Sequence, residues 1–231
     1  MIILACATDR ECHSALTRLT RKPAPRPERL QVGGRDILAC VIGIGPVAAA
    51  LSMGALLERF PEASGILNLG ICGSFDLARQ PLGAPCVASA EIWPEYGVHH
   101  AAQTAEEPFA HQMLPELSLD PVNRLDLDPV AAAAAMDLSL PADWPQGTSL
   151  TVAGVSGDQR RAEILQARHD AATENMEGFS LALAARLRGI PFLEIRTVSN
   201  PVGARDKRLW NFRLALDALQ GIMPILTGAA A

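Results

Sequence analysis

The chain has 231 residues, 49% of them hydrophobic, and carries 25 acidic against 20 basic side chains for a net charge of −5. That length holds one substantial core but not two comfortable ones, and its arginines and lysines are dispersed, which argues against a nucleic-acid-binding role. The five cysteines, Cys6, Cys12, Cys40, Cys72 and Cys86, are odd in number and lack C-x-x-C spacing, so they read as reduced, buried thiols of a cytoplasmic protein. The apolar start stops at Asp9 without a leading positive charge, unlike a signal peptide, and no apolar run approaches the roughly 18 residues of a membrane helix.

Residues 1–7 read as a buried strand and 11–19 as a short helix; Pro23, Pro25 and Pro27 then force a loop. Residues 36–42 form a second buried strand ending in Gly43-Ile44-Gly45, and Pro46 opens a helix that reaches residue 60. Apolar runs at 65–69, 86–92 and 149–155 are further strands, the first apolar on both faces as parallel strands are. Residues 119–147 gather Pro121, Pro129, Pro141 and Pro145 around an alanine run, which predicts a loop or variable excursion. Phe179, Leu181, Leu183, Ala184 and Leu187 fall at helical spacing, and Gly189 stops that helix. An extended apolar run at 191–198 and a last helix at 208–221 follow. The alternation predicts a single α/β domain over residues 1–231, with a twisted, mostly parallel central sheet flanked by helices.

Chemistry gathers around residue 177. Glu177 stands at the start of a helix, after Asn175-Met176, and the next strand ends in Ser199-Asn200. Both groups thus fall at carboxyl ends of strands, where ligands sit in open α/β sheets. This fits a ribose-and-base site; on these residues alone, a helix-capping glutamate beside a turn asparagine fits equally well. Cys72 has no histidine near it in sequence to make it a nucleophile, and His99-His100 lacks the spacing of a metal pair. No metal and no cofactor are expected.

Four segments occur in a set order: Ile2 to Glu11, Val41-Ile42-Gly43-Ile44-Gly45-Pro46-Val47, Leu67-Asn68-Leu69-Gly70-Ile71-Cys72-Gly73-Ser74-Phe75, and Met176-Glu177-Gly178 followed by Pro191-Phe192, Arg196 and Ser199-Asn200. Together they resemble the purine nucleoside phosphorylase and nucleosidase superfamily over nearly the whole chain except about residues 100–147. The tail from Ser199 to Asp206, with Trp210 after it, is similar to the superfamily's futalosine hydrolase branch, which serves an alternative menaquinone pathway.

Cleaving an N-ribosidic bond passes through an oxocarbenium-like sugar while negative charge flows into the purine. A site therefore needs a grip on the sugar hydroxyls, an activated water and a group that stabilises the departing base. The resemblance implies those roles here. Glu177, with Met176 beside it, grips the ribose, and Glu11 positions and deprotonates water. Asn200, where adenine-cleaving relatives carry Asp, suits the N7 and 6-oxo edge of a hypoxanthine base. Gly70 and Gly73 either let backbone approach the reaction centre or simply make a tight turn, and Cys72 is a substrate-binding candidate by its place in the same glycine loop. The loop Ser156 to Arg160 resembles the one flanking the base, with Gln159 and Arg160 replacing apolar or aromatic residues; Arg160, Arg205 and Arg208 are candidates to meet a substrate carboxylate.

Phosphorylases of the superfamily lead the glycine loop with arginine and carry an N-terminal Gly-Asp-Pro loop; here stand Asn68 and Thr8-Asp9-Arg10-Glu11. Water, not phosphate, is then the expected acceptor. The resemblance implies a cytoplasmic homo-oligomer acting on a small purine nucleoside, with neither nucleic acid nor membrane as partner. The rivals are another nucleosidase or phosphorylase of the superfamily, and a nucleoside-binding protein that kept the fold. Glu11 and Glu177 together oppose the second, because binding alone has no use for a water-activating carboxylate.

Overall fold

The computed structural model describes residues 1–19, 27–99 and 106–229. Pro23 and Pro25 of the expected loop, and His100, lie outside the described residues. In chain order come β1 (Ile2–Cys6), α1 (Asp9–Leu16), β2 (Glu28–Val32), β3 (Arg35–Val41), α2 (Pro46–Arg59), β4 (Gly65–Ser74) and β5 (Pro85–Ile92). The short β6 (Gly97–His99) and β7 (Glu106–Pro108) pair with each other, and β8 (Arg124–Asp126) and α3 (Pro129–Ala135) follow. The remainder is β9 (Gln146–Thr151), α4 (Gln159–His169), β10 (Ala171–Asn175), α5 (Gly178–Arg188), β11 (Phe192–Pro201), a 3-10 turn at Lys207–Leu209, α6 (Phe212–Leu219) and α7 (Ile222–Thr227).

β1 is apolar at every position because both its faces are covered. Ile2, Leu4 and Cys6 enter a core shared with α1, α3, α6 and α7, while Ile3 and Ala5 enter a second core shared with α2 and α5. Each fully buried aliphatic side chain of this kind contributes about 1.5–3 kcal/mol. The sheet is mixed. Parallel ladders join β1 to β3 and β4, β4 to β11, β5 to β9 and β9 to β10; antiparallel ladders join β2 to β3, β11 and β8 to β5, and β10 to β4. The β10–β4 pairing closes β4, β11, β5, β9 and β10 into a ring. It sets Glu174 opposite Gly73, and so draws the ends of β4 and β10 together where the candidate residues lie.

Several stretches differ from the sequence reading. β4 runs on to Ser74 instead of stopping at residue 69, because β11 keeps pairing with it from Gly70 to Ser74. The glycine-rich segment is therefore strand, and neither Gly70 nor Gly73 has the left-handed backbone that a tight turn would require. Residues 119–147 are not loop throughout: β8 pairs with β5, and Leu125, Ala132, Ala133, Met136 and Leu138 are buried, with Pro129 in the first turn of α3. The last long helix starts at Phe212, where the Asn211 side chain accepts the Leu214 N–H at 3.0 Å. α4 and β10 had no apolar period to reveal them: α4 buries only Ala162 and Leu165, and β10 buries Thr173, Glu174 and Asn175.

Candidate active site

The ends of β4, β10 and β11 open on a cavity of about 430 Å³, and Glu11, Cys72, Gly73, Met176, Glu177 and Asn200 all line it. How Glu177 comes to face it is set by its neighbour. Asn175 Oδ1 accepts the backbone N–H groups of Glu177 and Gly178, each at 2.8 Å, so the asparagine caps α5. Glu177 makes no cap bond of its own, which removes the helix-capping reading of this residue. Its carboxylate turns to long-range donors instead: Gly45 N–H to Oε1 at 3.1 Å and Arg196 Nη1 to Oε2 at 3.1 Å.

Arg196 is the main residue to which the sequence reading gave no role. It is 3% exposed in β11, and its Nε donates to Glu194 Oε1 at 2.7 Å while Nη1 reaches Glu177. Burial works against its charge, but Glu194 and then Glu177 outweigh it and hold the guanidinium above arginine's usual value. The available signal was Glu194-x-Arg196 inside an apolar strand, where charges denied water must pair.

Glu11 is held more locally. Thr8 caps α1 by accepting Glu11 N–H at 3.3 Å, and Glu11 Oε2 accepts Thr8 N–H at 2.9 Å and Thr8 Oγ1–H at 2.7 Å, the reciprocal bonds of a capping box. Oε1 accepts Ile71 N–H from β4 at 3.0 Å. Gly70 does not line the cavity, yet a Cβ there would stand 2.8 Å from Glu11 Oε1 and 3.0 Å from Arg196 Nη1. Its lack of a side chain makes room for both charged groups.

The register of β11 shifts between Val198 and Asn200, which pairs Asn200 with Gly73. Its Oδ1 accepts from Ser199 Oγ at 2.8 Å and its Nδ2 donates to Pro201 O at 3.0 Å, occupying one of the two amide N–H groups. Met176 packs against the apolar group of Ile92, Leu150 and Val152 as well as lining the cavity. Burial, reinforced by Cys86, pushes the Cys72 thiol well above its usual value, so it is a wall and not a nucleophile. Ser156 N–H and Oγ–H bind Glu174 at 2.9 and 2.5 Å and pin the loop after β9 to the cavity; burial raises the Glu174 carboxyl above its usual value.

Gln159, Arg160 and Arg205 do not line the cavity. Asp158 caps α4 through Arg161 N–H at 2.9 Å, which leaves Gln159 and Arg160 exposed in its first turn, and Gln159 bonds Glu163 at 3.2 Å. Arg205 is exposed in the turn after β11, and Arg208 is exposed and paired with Asp206 at 2.6 Å. The exposed arginine at the wall is Arg10, which makes no ion pair or hydrogen bond among the described residues. The lining also includes two aromatic residues, Trp210 and Phe212, edge to face at 5.4 Å, with Trp210 Nε1 donating to Ala204 O at 2.7 Å.

Two carboxylates, an amide and an aromatic rim around one cavity can stabilise a sugar cation, orient a water and hydrogen-bond a leaving base. Among the described residues, no group of three or more His, Cys, Asp or Glu side chains could hold a metal ion, and no helix is long and apolar enough to cross a membrane.

A family model described as the phosphorylase superfamily matches residues 2–224. The chain is 35% identical over 222 residues to a futalosine hydrolase of Streptomyces coelicolor, covering 88% of each chain. It is 33% identical over 181 residues to a futalosine hydrolase of Thermus thermophilus, covering 77% of this chain and 75% of that one. Among solved structures, the native futalosine hydrolase of Helicobacter pylori superposes with a TM-score of 0.69 at 18% identity, over 97% of this chain and 94% of that one. At that identity the likeness speaks for the fold alone.

Proposed function

Because the chain belongs to the phosphorylase superfamily, we propose that it hydrolyses the N-ribosidic bond of futalosine, releasing hypoxanthine, in an alternative route to menaquinone. The observation that carries this reading is the convergence of Glu11, Glu177 and Asn200 on one cavity, in a chain most of whose length is similar to futalosine hydrolases. Glu177 binds the ribose hydroxyls and stabilises the cation that grows at the anomeric carbon. Glu11 takes the proton of the attacking water. The Asn200 amide donates to the purine as negative charge builds there, and an amide tolerates the 6-oxo edge of hypoxanthine where a carboxylate would face an acceptor.

Water is the acceptor. Asn68, at the place where phosphorylases carry arginine, is buried in β4 and does not line the cavity, and Arg196 is committed to Glu177 and Glu194. Arg10, which lines the cavity together with Trp210 and Phe212 and has no partner among the described residues, meets the carboxylate of the substrate's aryl arm; it takes the place expected for Arg160, Arg205 or Arg208. The enzyme works in the cytoplasm as a homo-oligomer. Ile44, Val47 and Leu51, 62%, 79% and 75% exposed, form an apolar stripe that begins at the cavity wall and runs along α2, and a second copy covers it.

The test is incubation of wild type and Asn200→Asp with futalosine and its 6-amino analogue, with and without phosphate, reading free base and sugar product by chromatography. Wild type releases hypoxanthine at a rate independent of phosphate. Asn200→Asp shifts the ratio of catalytic efficiencies toward the amino compound by at least about tenfold, the size of a mismatched buried polar contact. Ribose 1-phosphate as the product, or an unchanged ratio in the variant, would sink the water step or the base assignment respectively.

A further inference from the structure

We propose that Glu91 is a buried carboxylic acid whose proton is held against Glu194, and that this pair fixes Arg196 so that it supports Glu177 through a single bond. Glu91 and Glu194 are then positioning residues for the ribose-gripping carboxylate, an inference that rests on the role given to Glu177 above.

Both side chains are fully buried, Glu91 in β5 and Glu194 in β11. They meet over the α-carbon of Gly178, the first residue of α5, where a Cβ would collide with Glu91 Oε1 and Glu194 Oε2 alike. Glu91 Oε2 meets Thr151 Oγ1 at 2.6 Å, and Oε1 accepts from Asn175 Nδ2 at 2.7 Å. Glu194 Oε1 takes Arg196 Nε–H, but Glu194 Oε2 finds no donor in any other group among the described residues. As two carboxylates the residues could only repel each other, and an acceptor would stay buried and unsatisfied. One proton between them removes the repulsion and fills Glu194 Oε2.

The proton belongs on Glu91. Glu194 is already ion-paired with Arg196 at 2.7 Å, whereas Glu91 is bonded to neutral partners, Thr151 and Asn175. Burial, and after it the charge of Glu194, push the Glu91 carboxyl well above its usual value, in keeping with that geometry. The consequence reaches the cavity through Arg196. With Nε engaged by Glu194, the guanidinium offers Glu177 one N–H at 3.1 Å instead of a two-bond fork, and the Glu177 oxygens keep lone pairs for sugar hydroxyls. Glu91 also binds the two side chains that fix the start of α5, since Thr151 Oγ1 accepts Phe179 N–H at 2.7 Å and Asn175 caps Glu177.

The test joins a spectroscopic readout to a double-mutant cycle. At about pH 7, more than two units above an ordinary glutamate, infrared spectra of wild type show the carbonyl stretch of a protonated carboxylic acid. That band shifts on ¹³C-glutamate labelling and is lost in Glu91→Gln, which separates it from Glu174. Glu91→Gln lowers kcat about tenfold when Glu177 is present and less than about twofold in a Glu177→Gln background, whereas a merely structural loss lowers both equally. A labelled wild type without the band overturns the shared proton; should Glu91→Gln not fold, Glu174→Gln takes over the assignment, since the band must survive in it and its loss there overturns the proposal. Equal losses in the two backgrounds overturn the positioning role. Full turnover by Glu177→Gln would overturn both that role and the reading beneath it, and is told apart because the band does not depend on Glu177.

Discussion

Two of the three bonds on the Glu11 carboxylate come from Thr8, three residues away, whereas both bonds on Glu177 come from distant segments: Gly45, 132 positions upstream, and Arg196, 19 positions downstream. The first carboxylate is placed by a helix start, and only Ile71 N–H ties it to β4. The second is placed by a buried chain of charges, Glu177–Arg196–Glu194, that exists only once β10, β11 and α2 have assembled. A locally held group should tolerate damage elsewhere in the fold. A group held by buried charge should fail together with the stability of its surroundings.

Arg196→Met is the sharpest way to break the contrast. It leaves Glu177 and Glu194 buried without a counter-charge, and removing one partner of a buried pair costs about 3–5 kcal/mol. Urea unfolding should show a loss of that size together with loss of turnover. A variant as stable as wild type would mean that water already solvates the network. Next in size are Glu177→Gln and Glu11→Gln, each expected to lower kcat by about a hundredfold or more. The two should differ in binding: Glu177→Gln weakens ligands that carry the sugar, and Glu11→Gln leaves the affinity for the free base largely unchanged. Turnover within about threefold of wild type in either variant would remove that residue from its role.

The same contrast explains what could be read in the chain. Glu11 was legible through the resemblance carried by the segment Ile2 to Glu11, while its capping box with Thr8 went unread, and Glu177 because Met-Glu-Gly precedes a helix of clear apolar period. For Gly70 and Gly73 the sequence left two reasons open, close approach and a tight turn, and the β4–β11 register decides for close approach within a strand. Arg196, Glu194 and Glu91 stood in the open as charges within apolar strands, yet the link from Arg196 to Glu177 depends on β10, a strand whose polar residues disguised it. Gln159, Arg160 and Arg205 were placed in the site by the resemblance of their loops, but the Asp158 cap of α4 carries the first two to the surface and Arg205 is exposed beyond β11.

A pH series sharpens the comparison, because the Glu177 side of the site stores a proton. Burial and Glu194 raise Glu91, so in the fold it is protonated where the unfolded chain is ionised. Its stabilising effect is complete below the unfolded value, about 4.3, and is lost as pH climbs toward the folded one. Across that window the unfolding free energy should fall by about 1.4 kcal/mol per pH unit. Asp36 and Asp206, lowered by hydrogen bonds from Arg29 and Arg208, lose their contributions at more acid pH and stay out of this window. Glu174, also raised by burial, declines alike in wild type and in Glu91→Gln and drops out of their difference. Urea unfolding between about pH 5 and 7 should therefore show stability declining in wild type and a flatter profile in Glu91→Gln. Identical slopes would show Glu91 to be ionised in the fold.

The smallest effect falls on the locally held side. Thr8→Val removes the hydroxyl that caps α1 and that donates to Glu11 Oε2 at 2.7 Å, but it keeps Thr8 N–H at 2.9 Å and Ile71 N–H at 3.0 Å on the same carboxylate. Loss of such a cap costs about 1 kcal/mol of stability. With two of three donors still in place, Glu11 gains freedom without leaving the cavity wall. The fall in kcat should then be about tenfold, less than the roughly hundredfold cost of moving a catalytic group by a full ångström. Thr8→Ser, which keeps the hydroxyl, should restore both quantities to near wild type. If Thr8→Val instead lowered kcat as far as Glu11→Gln does, the hydroxyl itself would be part of the chemistry, acting on the water alongside the carboxylate. If neither stability nor turnover moved, the backbone donors alone would suffice to place Glu11, and the contrast with Glu177 would be wider still.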